Sequence, residues 1–472
     1  MSSLSLKKKL LSKNENYITL LNIIGTLVYQ GINFLLTPYL TRALNTHSFG
    51  IVSVYTSWVN ILVPIVGVTS LAVIPHIKLY VEEKKQPTYL SSLLGLSMIS
   101  FLIVFGISVA LLPILSKEME LPALVIILLL LHSFGMATVN FAIAYCVQYQ
   151  KTIFQFIITI SLSIITSLIS ISLIKIIVND ELKYYGRVIG YSAPNFLVAI
   201  FIYFYFCKKG NHMFKLDVWK FAIPVCMPII FHSLSNVLLS QSSRILLQRI
   251  KDFDIAGVFS FIYTIASLIS VLWVALNNAW VPIYFQMLND NKYDELYKRG
   301  KRYSFFFTAI FIGFMLVSPE ILRIMGPKEY DSGIPIMPFI SVSMYFMFMY
   351  SFSINFKTIC KKTFSIATGT IVAALINIGV NIILIPEFGL WGAGIATLVS
   401  YIVLFLFHQL TVKKVKYEFN FTLKFYIPGL IGVLLSIAAF YSLFNFWYIR
   451  WALACIVGIV LLMRIIKQRA IF

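Results

Sequence analysis

Charge is what this sequence has least of. Only 12% of its 472 residues are charged, against about 25% in a soluble domain, while 59% are hydrophobic. That balance excludes a water-soluble globule. Cysteine is also sparse, and the five present, Cys146, Cys207, Cys226, Cys360 and Cys455, show no metal-type spacing. The six histidines form no HExxH or comparable arrangement, so no metal site and no cofactor is expected. Acidic side chains are missing from the apolar runs: all 18 Asp and Glu lie in loops or at run ends, with Glu320 and Asp254 nearest to being embedded. A carrier of cationic drugs, or one driven by a carboxylate that binds a proton or sodium, is expected to bury an acid.

What is present is apolar run after apolar run. Crossing a hydrocarbon core takes roughly 20 residues, and fourteen such runs can be marked, from 17–41 and 48–75 to 423–444 and 447–467. Backbone polar groups cannot stay unpaired in lipid, and the runs lack strand-length alternation, so the fold class is an all-α integral membrane protein with about 14 transmembrane helices. Lys7, Lys8 and Lys9 precede an apolar run too long for a signal peptide and without a small-residue cleavage site. The first helix is therefore expected to remain.

A net charge of +20 would suggest a nucleic-acid partner in a soluble chain, but its distribution points to a bilayer. With a cytoplasmic amino terminus, 27 Lys and Arg fall on the inner side and 10 on the outer, with Arg244 inside the seventh run; acidic residues divide 8 inside and 10 outside. That is the positive-inside pattern. It predicts a multi-pass protein of the cytoplasmic membrane with both termini cytoplasmic, and no nucleic-acid partner.

An internal repeat orders the runs. RALNTHSFG at 42–50 and RIKDFDIAG at 249–257 align at an offset of 207, pairing Arg42 with Arg249, Gly50 with Gly257 and Ser53 with Ser260. YGRVIG at 185–190 matches FGLWGAG at 388–394, and Lys151-Thr152 matches Lys362-Thr363. The landmarks keep their order, which predicts two parallel six-helix lobes. The expected division is a cytoplasmic amino terminus at 1–16, an N-lobe at 17–207, a linker at 208–217, a C-lobe at 218–412 and an appended helix pair with the carboxyl terminus at 413–472. Duplicated bundles of this kind place substrate between their halves.

One run is polar where its neighbours are not. HSLSNVLLSQSSR, residues 232–244, holds Asn236, Ser240, Gln241 and Arg244, and an arginine at a helix centre costs at least about 2.5 kcal/mol in lipid. Gln241, Arg244 and Gln248 share a stripe at i, i+3, i+7, and Gln30, Asn33 and Thr37 repeat that spacing in the first run. Two such faces opposed would line a wet chamber that is cationic and acid-free, suited to an anion. For Arg244 the plain alternative is a side chain snorkelling to the interface. Arg42 and Arg249 sit at helix ends, where topology alone explains them. Asn277, Asn278, Asn377 and Asn381 read as interhelical hydrogen-bond glue.

SLSNVLLSQSSRILLQRIKDFDIAGVFSFIYTIASLI, NIGVNIILIPEFGLWGAGIATLVSYIVLFLF and TPYLTRALNTHSFGIVSVY resemble the bacterial polysaccharide transporter and O-antigen flippase family of the multidrug/oligosaccharidyl-lipid/polysaccharide exporter superfamily. The likeness spans most of residues 15–412. It implies movement of an undecaprenyl-pyrophosphate-linked oligosaccharide across the bacterial cytoplasmic membrane by alternating access, for capsule, exopolysaccharide or O-antigen synthesis, alongside a polysaccharide polymerase and glycosyltransferases. On that reading Arg244 meets the pyrophosphate, Arg42 and Arg249 assist near the outer mouth, and Gln30, Asn33, Thr37, Asn236, Ser240 and Gln241 bond sugar hydroxyls or water. Family members often carry an Asp directly before the helix-seven arginine, and this chain has Ser243 there. A multidrug exporter of the same superfamily is the alternative. A polymerase or ligase, which would make the chain an enzyme, needs a sizeable outer loop, whereas the outer connections here run to around ten residues.

Overall fold

The computed structural model describes residues 31–32, 34–68, 73–412 and 421–468. Every regular element among them is helical. Helix α1 covers 34–43, and α2 Thr46–Val66, α3 Val73–Tyr80, α4 Gln86–Ala110, α5 Leu112–Met119, α6 Ala123–Gln148, α7 Thr152–Ile176 and α8 Lys183–Gly210 follow. Then come α9 Leu216–Ile250, α10 Phe253–Asn289, α11 Tyr293–Met325, α12 Met337–Ile359, α13 Thr363–Phe388, α14 Leu390–Val412, α15 Leu423–Ser442 and α16 Trp447–Gln468. Thirteen helical segments among the described residues are long and apolar enough to cross a bilayer. The run at 17–41 falls largely outside the described residues.

Two runs end sooner than their apolar content predicts. The 48–75 run stops as a helix at Val66, where Gly67 caps it with N–H bonds to the Ile65 and Val63 carbonyls. The run at 88–115 breaks after Ala110, because Pro113 in the first turn of α5 has no N–H to continue the ladder. Elsewhere proline is absorbed: α9 runs 35 residues across Pro224 and Pro228, and α10 runs 37 across Pro282.

The chain forms two compact units, Met1–Gln241 and Ser242–Phe472, divided within α9. In the first, α8 packs on α6 and α7, and α2 on α6, around Phe134, Phe141, Tyr145, Tyr203 and Phe206. The α7–α8 approach depends on a missing side chain, since a Cβ on Gly190 would come 2.6 Å from the Ser170 backbone nitrogen. In the second unit α14 packs on α13 and α12, α10 on α12, and the appended α15 and α16 both lie on α11. An aromatic core of Trp280, Tyr303, Phe307, Tyr345, Phe348 and Phe352 fills the space between them.

Large apolar side chains stand bare on the outer faces, among them Leu102, Ile103 and Ile107 on α4, Phe201 and Phe204 on α8, and Ile459 and Leu462 on α16. In water such a surface would aggregate; against acyl chains it is the low-energy arrangement.

The repeat reappears as backbone and capping geometry. Asn45 and Asp252, 207 positions apart, each precede the second helix of their repeat and cap it: Ser48 N–H donates to Asn45 Oδ1 at 2.8 Å, and Ile255 N–H to Asp252 Oδ1 at 2.7 Å. Inside those helices Ser57 donates to the Ser53 carbonyl at 2.9 Å and Thr264 to the Ser260 carbonyl at 2.8 Å. The turns leading into α7 and α13 also agree. Gln150 and Lys361 take φ of 56° and 55°, and the next N–H reaches back to the Cys146 and Lys357 carbonyls at 2.7 and 2.8 Å, the hydrogen bond that closes a helix after a left-handed residue.

Candidate functional site

The polar stretch of α9 divides by position along the helix. In its first half the serines bond the helix's own backbone: Ser235 donates to the Phe231 carbonyl at 2.7 Å and Ser240 to the Val237 carbonyl at 3.0 Å. Back-bonding of this kind lets serine sit in a helix without a partner from outside. Asn236, exposed, lies 3.1 Å from His232 Nε2. Gln241 is half-buried, with its side-chain oxygen 3.0 Å from Ser57 Oγ on α2.

The next turns knit the second unit together. Ser242 Oγ donates to Asn377 Oδ1 at 2.6 Å, Asn381 Nδ2 donates to Ser243 Oγ at 3.0 Å, and Ser243 lies 3.4 Å from Thr397 Oγ1. Asn377 and Asn381 are fully buried, so the expected interhelical glue joins α9, α13 and α14. Asn277 has the same role, accepting from Asn355 at 3.0 Å. Ser243 is thus spent on helix packing.

Arg244 is half-buried. Its guanidinium carbon lies 4.3 Å from the centroid of the Tyr263 ring on α10, and the buried Tyr401 of α14 stands close enough to interact with both. An arginine over an aromatic face gains about 0.5–2 kcal/mol. Gln248, one turn on, is buried, while Arg249 is exposed at the end of α9. Arg42 is exposed and folds back onto the Pro38 carbonyl at 3.0 Å, and Thr37 is buried. Gln30 and Asn33 lie outside the described residues.

Three buried cations were hidden in the sequence because each falls within a few residues of a run's end and was counted as a loop charge. Arg187 on α8 donates to Ser170 Oγ at 3.1 Å and stacks 4.5 Å from the Tyr191 ring. Tyr191 in turn lies 4.5 Å from the His132 ring, whose Nδ1 is 3.0 Å from Tyr55 Oη. Lys357 on α12 is fully buried, with Nζ 2.8 Å from His408 Nδ1, 2.5 Å from Thr411 Oγ1 and 3.1 Å from Ser365 Oγ. Arg450 on α16 is fully buried against Glu320. The i, i+4 pairing of Arg187 with Tyr191 was the one signal that could have exposed a member of this set.

A family model described as "Polysaccharide biosynthesis protein" matches residues 18–288, more than half of the chain. The chain belongs to that family. A second model, MatE, matches residues 228–386. Protein 1 of the Lsg locus of Haemophilus influenzae is 22% identical over 334 residues, 69% of this chain and 78% of the relative. Among solved structures, the lipid II flippase MurJ in an inward closed conformation superposes with a TM-score of 0.67 at 16% identity, covering 96% of this chain and 99% of that one. A Vibrio cholerae MATE transporter gives 0.58 at 13% identity over 86% and 98%. The chain is thus a multi-pass membrane transporter of the multidrug/oligosaccharidyl-lipid/polysaccharide exporter superfamily, with its all-α fold.

Proposed function

We propose that the protein is a flippase that carries undecaprenyl-pyrophosphate-linked oligosaccharide repeat units across the bacterial cytoplasmic membrane, for capsule, exopolysaccharide or O-antigen synthesis, by alternating access of its two lobes. One observation carries this reading. In a member of a polysaccharide biosynthesis family, the seventh run places a half-buried arginine, Arg244, on the aromatic face of Tyr263.

Arg244 supplies charge-assisted contacts to the pyrophosphate, and Gln241, Ser240 and Asn236, on the preceding turns of α9, meet sugar hydroxyls directly or through water. Thr37, Gln30 and Asn33 of the first run likewise bond sugar hydroxyls or water on this reading, and Arg42 and Arg249 assist with the headgroup. The polyprenyl tail remains in lipid. With both termini cytoplasmic and the interior negative, the potential favours an anion leaving by about 2.3 kcal/mol per charge per 100 mV. A polymerase and glycosyltransferases work on either side of this step.

The test is Arg244→Ala in the native host. Surface polysaccharide should be lost while the protein still reaches the membrane in normal amount; unchanged polymer output would remove Arg244 from the site. The MatE match over residues 228–386 favours a second reading, a multidrug exporter. Drug accumulation in deletion cells with normal polysaccharide would select it.

A further inference from the structure

The first unit carries a second feature that the transport reading does not use. A cleft of about 340 Å³ opens between α6, α7 and α8, floored by Cys146 and Phe206 and walled by Ile158, Val198 and Phe201. Its outer wall is bare apolar surface, since Phe154 and Phe201 are 64% and 73% exposed, so the cleft faces the surrounding hydrocarbon. At one end stands Lys151. Its Nζ donates to Tyr145 Oη at 3.0 Å and lies 4.9 Å from that ring's centroid. Lys209, at the end of α8, holds its ammonium 5.8 Å from the ring of Tyr205, another wall residue. Among the described residues lining the cleft none is acidic.

The position of Lys151 is built, not incidental. Gln150 at φ 56° turns the chain back, and the Lys151 N–H closes onto the Cys146 carbonyl at 2.7 Å, which folds the side chain over the end of α6. Its hydrogen bond to Tyr145 holds the ammonium charged, with a pKa above the usual lysine value. An ammonium has three donors, and Tyr145 engages one of them.

The geometry points to a lipid site: an anionic phospholipid of the surrounding leaflet lays one acyl chain in the α6–α7–α8 cleft and its phosphate against Lys151 and Lys209. The assignment rests on charge complementarity. A dry, hydrocarbon-facing slot fits a chain, and two aromatic-seated lysines at its end, at the termini where the inner-side positive charge collects, fit the anionic headgroup that chain carries. Zwitterionic lipid offers the same chain without the net charge. The inference stands apart from the transported substrate and from Arg244, which lies in the other unit.

Native mass spectrometry of the full-length protein in detergent, titrated with dioleoyl phosphatidylglycerol or dioleoyl phosphatidylcholine, tests it. The wild type should retain phosphatidylglycerol roughly 30-fold more than phosphatidylcholine, about fivefold for each of the two lysines near the anionic headgroup. Lys151→Gln should remove most of that preference without lowering phosphatidylcholine retention, and Lys151→Arg should restore it. Ile158→Trp, which fills the slot, should reduce retention of both lipids, with melting temperature confirming that each variant is folded. Equal retention of the two lipids by the wild type, an unchanged preference in Lys151→Gln, or full retention in Ile158→Trp would each overturn the assignment.

Discussion

Arg450 on α16 places Nη2 2.5 Å from Glu320 Oε1 on α11, and its other donors reach the Leu316 and Leu443 carbonyls at 2.9 and 3.1 Å. The guanidinium is fully enclosed. The appended helix pair is therefore pinned to the second unit by a charge that cannot be left alone. Arg450→Met strands the Glu320 carboxylate and should destabilise the protein by about 3–5 kcal/mol, read as a lowered melting temperature in detergent. Adding Glu320→Gln to it should recover most of the loss, because the pair then goes as a unit.

The α9–α13 junction should respond in proportion to the bonds removed. Asn377 accepts from Ser242 and also from Asn381, at 2.6 and 2.9 Å, whereas Ser242 contributes one of these contacts. Interhelical bonds inside a membrane average about 0.6 kcal/mol. Asn377→Ala should thus lower the melting temperature more than Ser242→Ala. Equal shifts would mean that the network is not shared.

Lys357 sits fully buried among His408, Thr411 and Ser365, three acceptors for its three donors. Removing it by Lys357→Met leaves His408 Nδ1 without that donor inside the bundle. The expected cost is about 1–3 kcal/mol, measured by denaturation of the purified protein. Lys357→Arg should fare no better, because the planar fork cannot reproduce the tripod.

Gly190 lies where α7 and α8 touch. Gly190→Ala puts a methyl carbon 2.6 Å from the Ser170 backbone nitrogen, an overlap that only a helix shift relieves. A loss of about 1–3 kcal/mol is expected, together with reduced membrane expression. Gly106→Ala, where an added Cβ meets nothing within 4 Å, is the matched control.

Topology can be read at Cys360, in the turn between α12 and α13. With the other four cysteines replaced, a membrane-impermeant maleimide should label it in inverted vesicles and not in intact cells. Partial burial raises its thiol pKa above the ordinary value, so labelling should accelerate as pH rises toward 9. Labelling in intact cells would reverse the orientation expected from the charge pattern.

Much of the candidate site was legible in residue type and spacing. The serine and amide content of 232–244 marked α9 as the polar span, and the asparagines of α13 were readable as glue because amides in an apolar run must find partners. The N-cap equivalence of Asn45 and Asp252 lies at the 207-residue offset but differs in residue type, so identity alone does not reveal it. Arg187, Lys357 and Arg450 were missed for a common reason. Each lies near a run's end, where snorkelling and burial give the same sequence pattern.

By itself the sequence determined the class and displayed the repeat, because hydrocarbon leaves the backbone one way to satisfy itself across so many apolar runs, and because a period of 207 residues is visible without coordinates. Tertiary structure decided which neighbours each polar group meets. Ser243 and Arg244 are neighbours in the chain, yet one is closed into the α13–α14 contact and the other lies half-buried against the Tyr263 ring of α10. The 100° rotation between adjacent helical positions sends them to different surroundings, and only the packed helices show what those surroundings are.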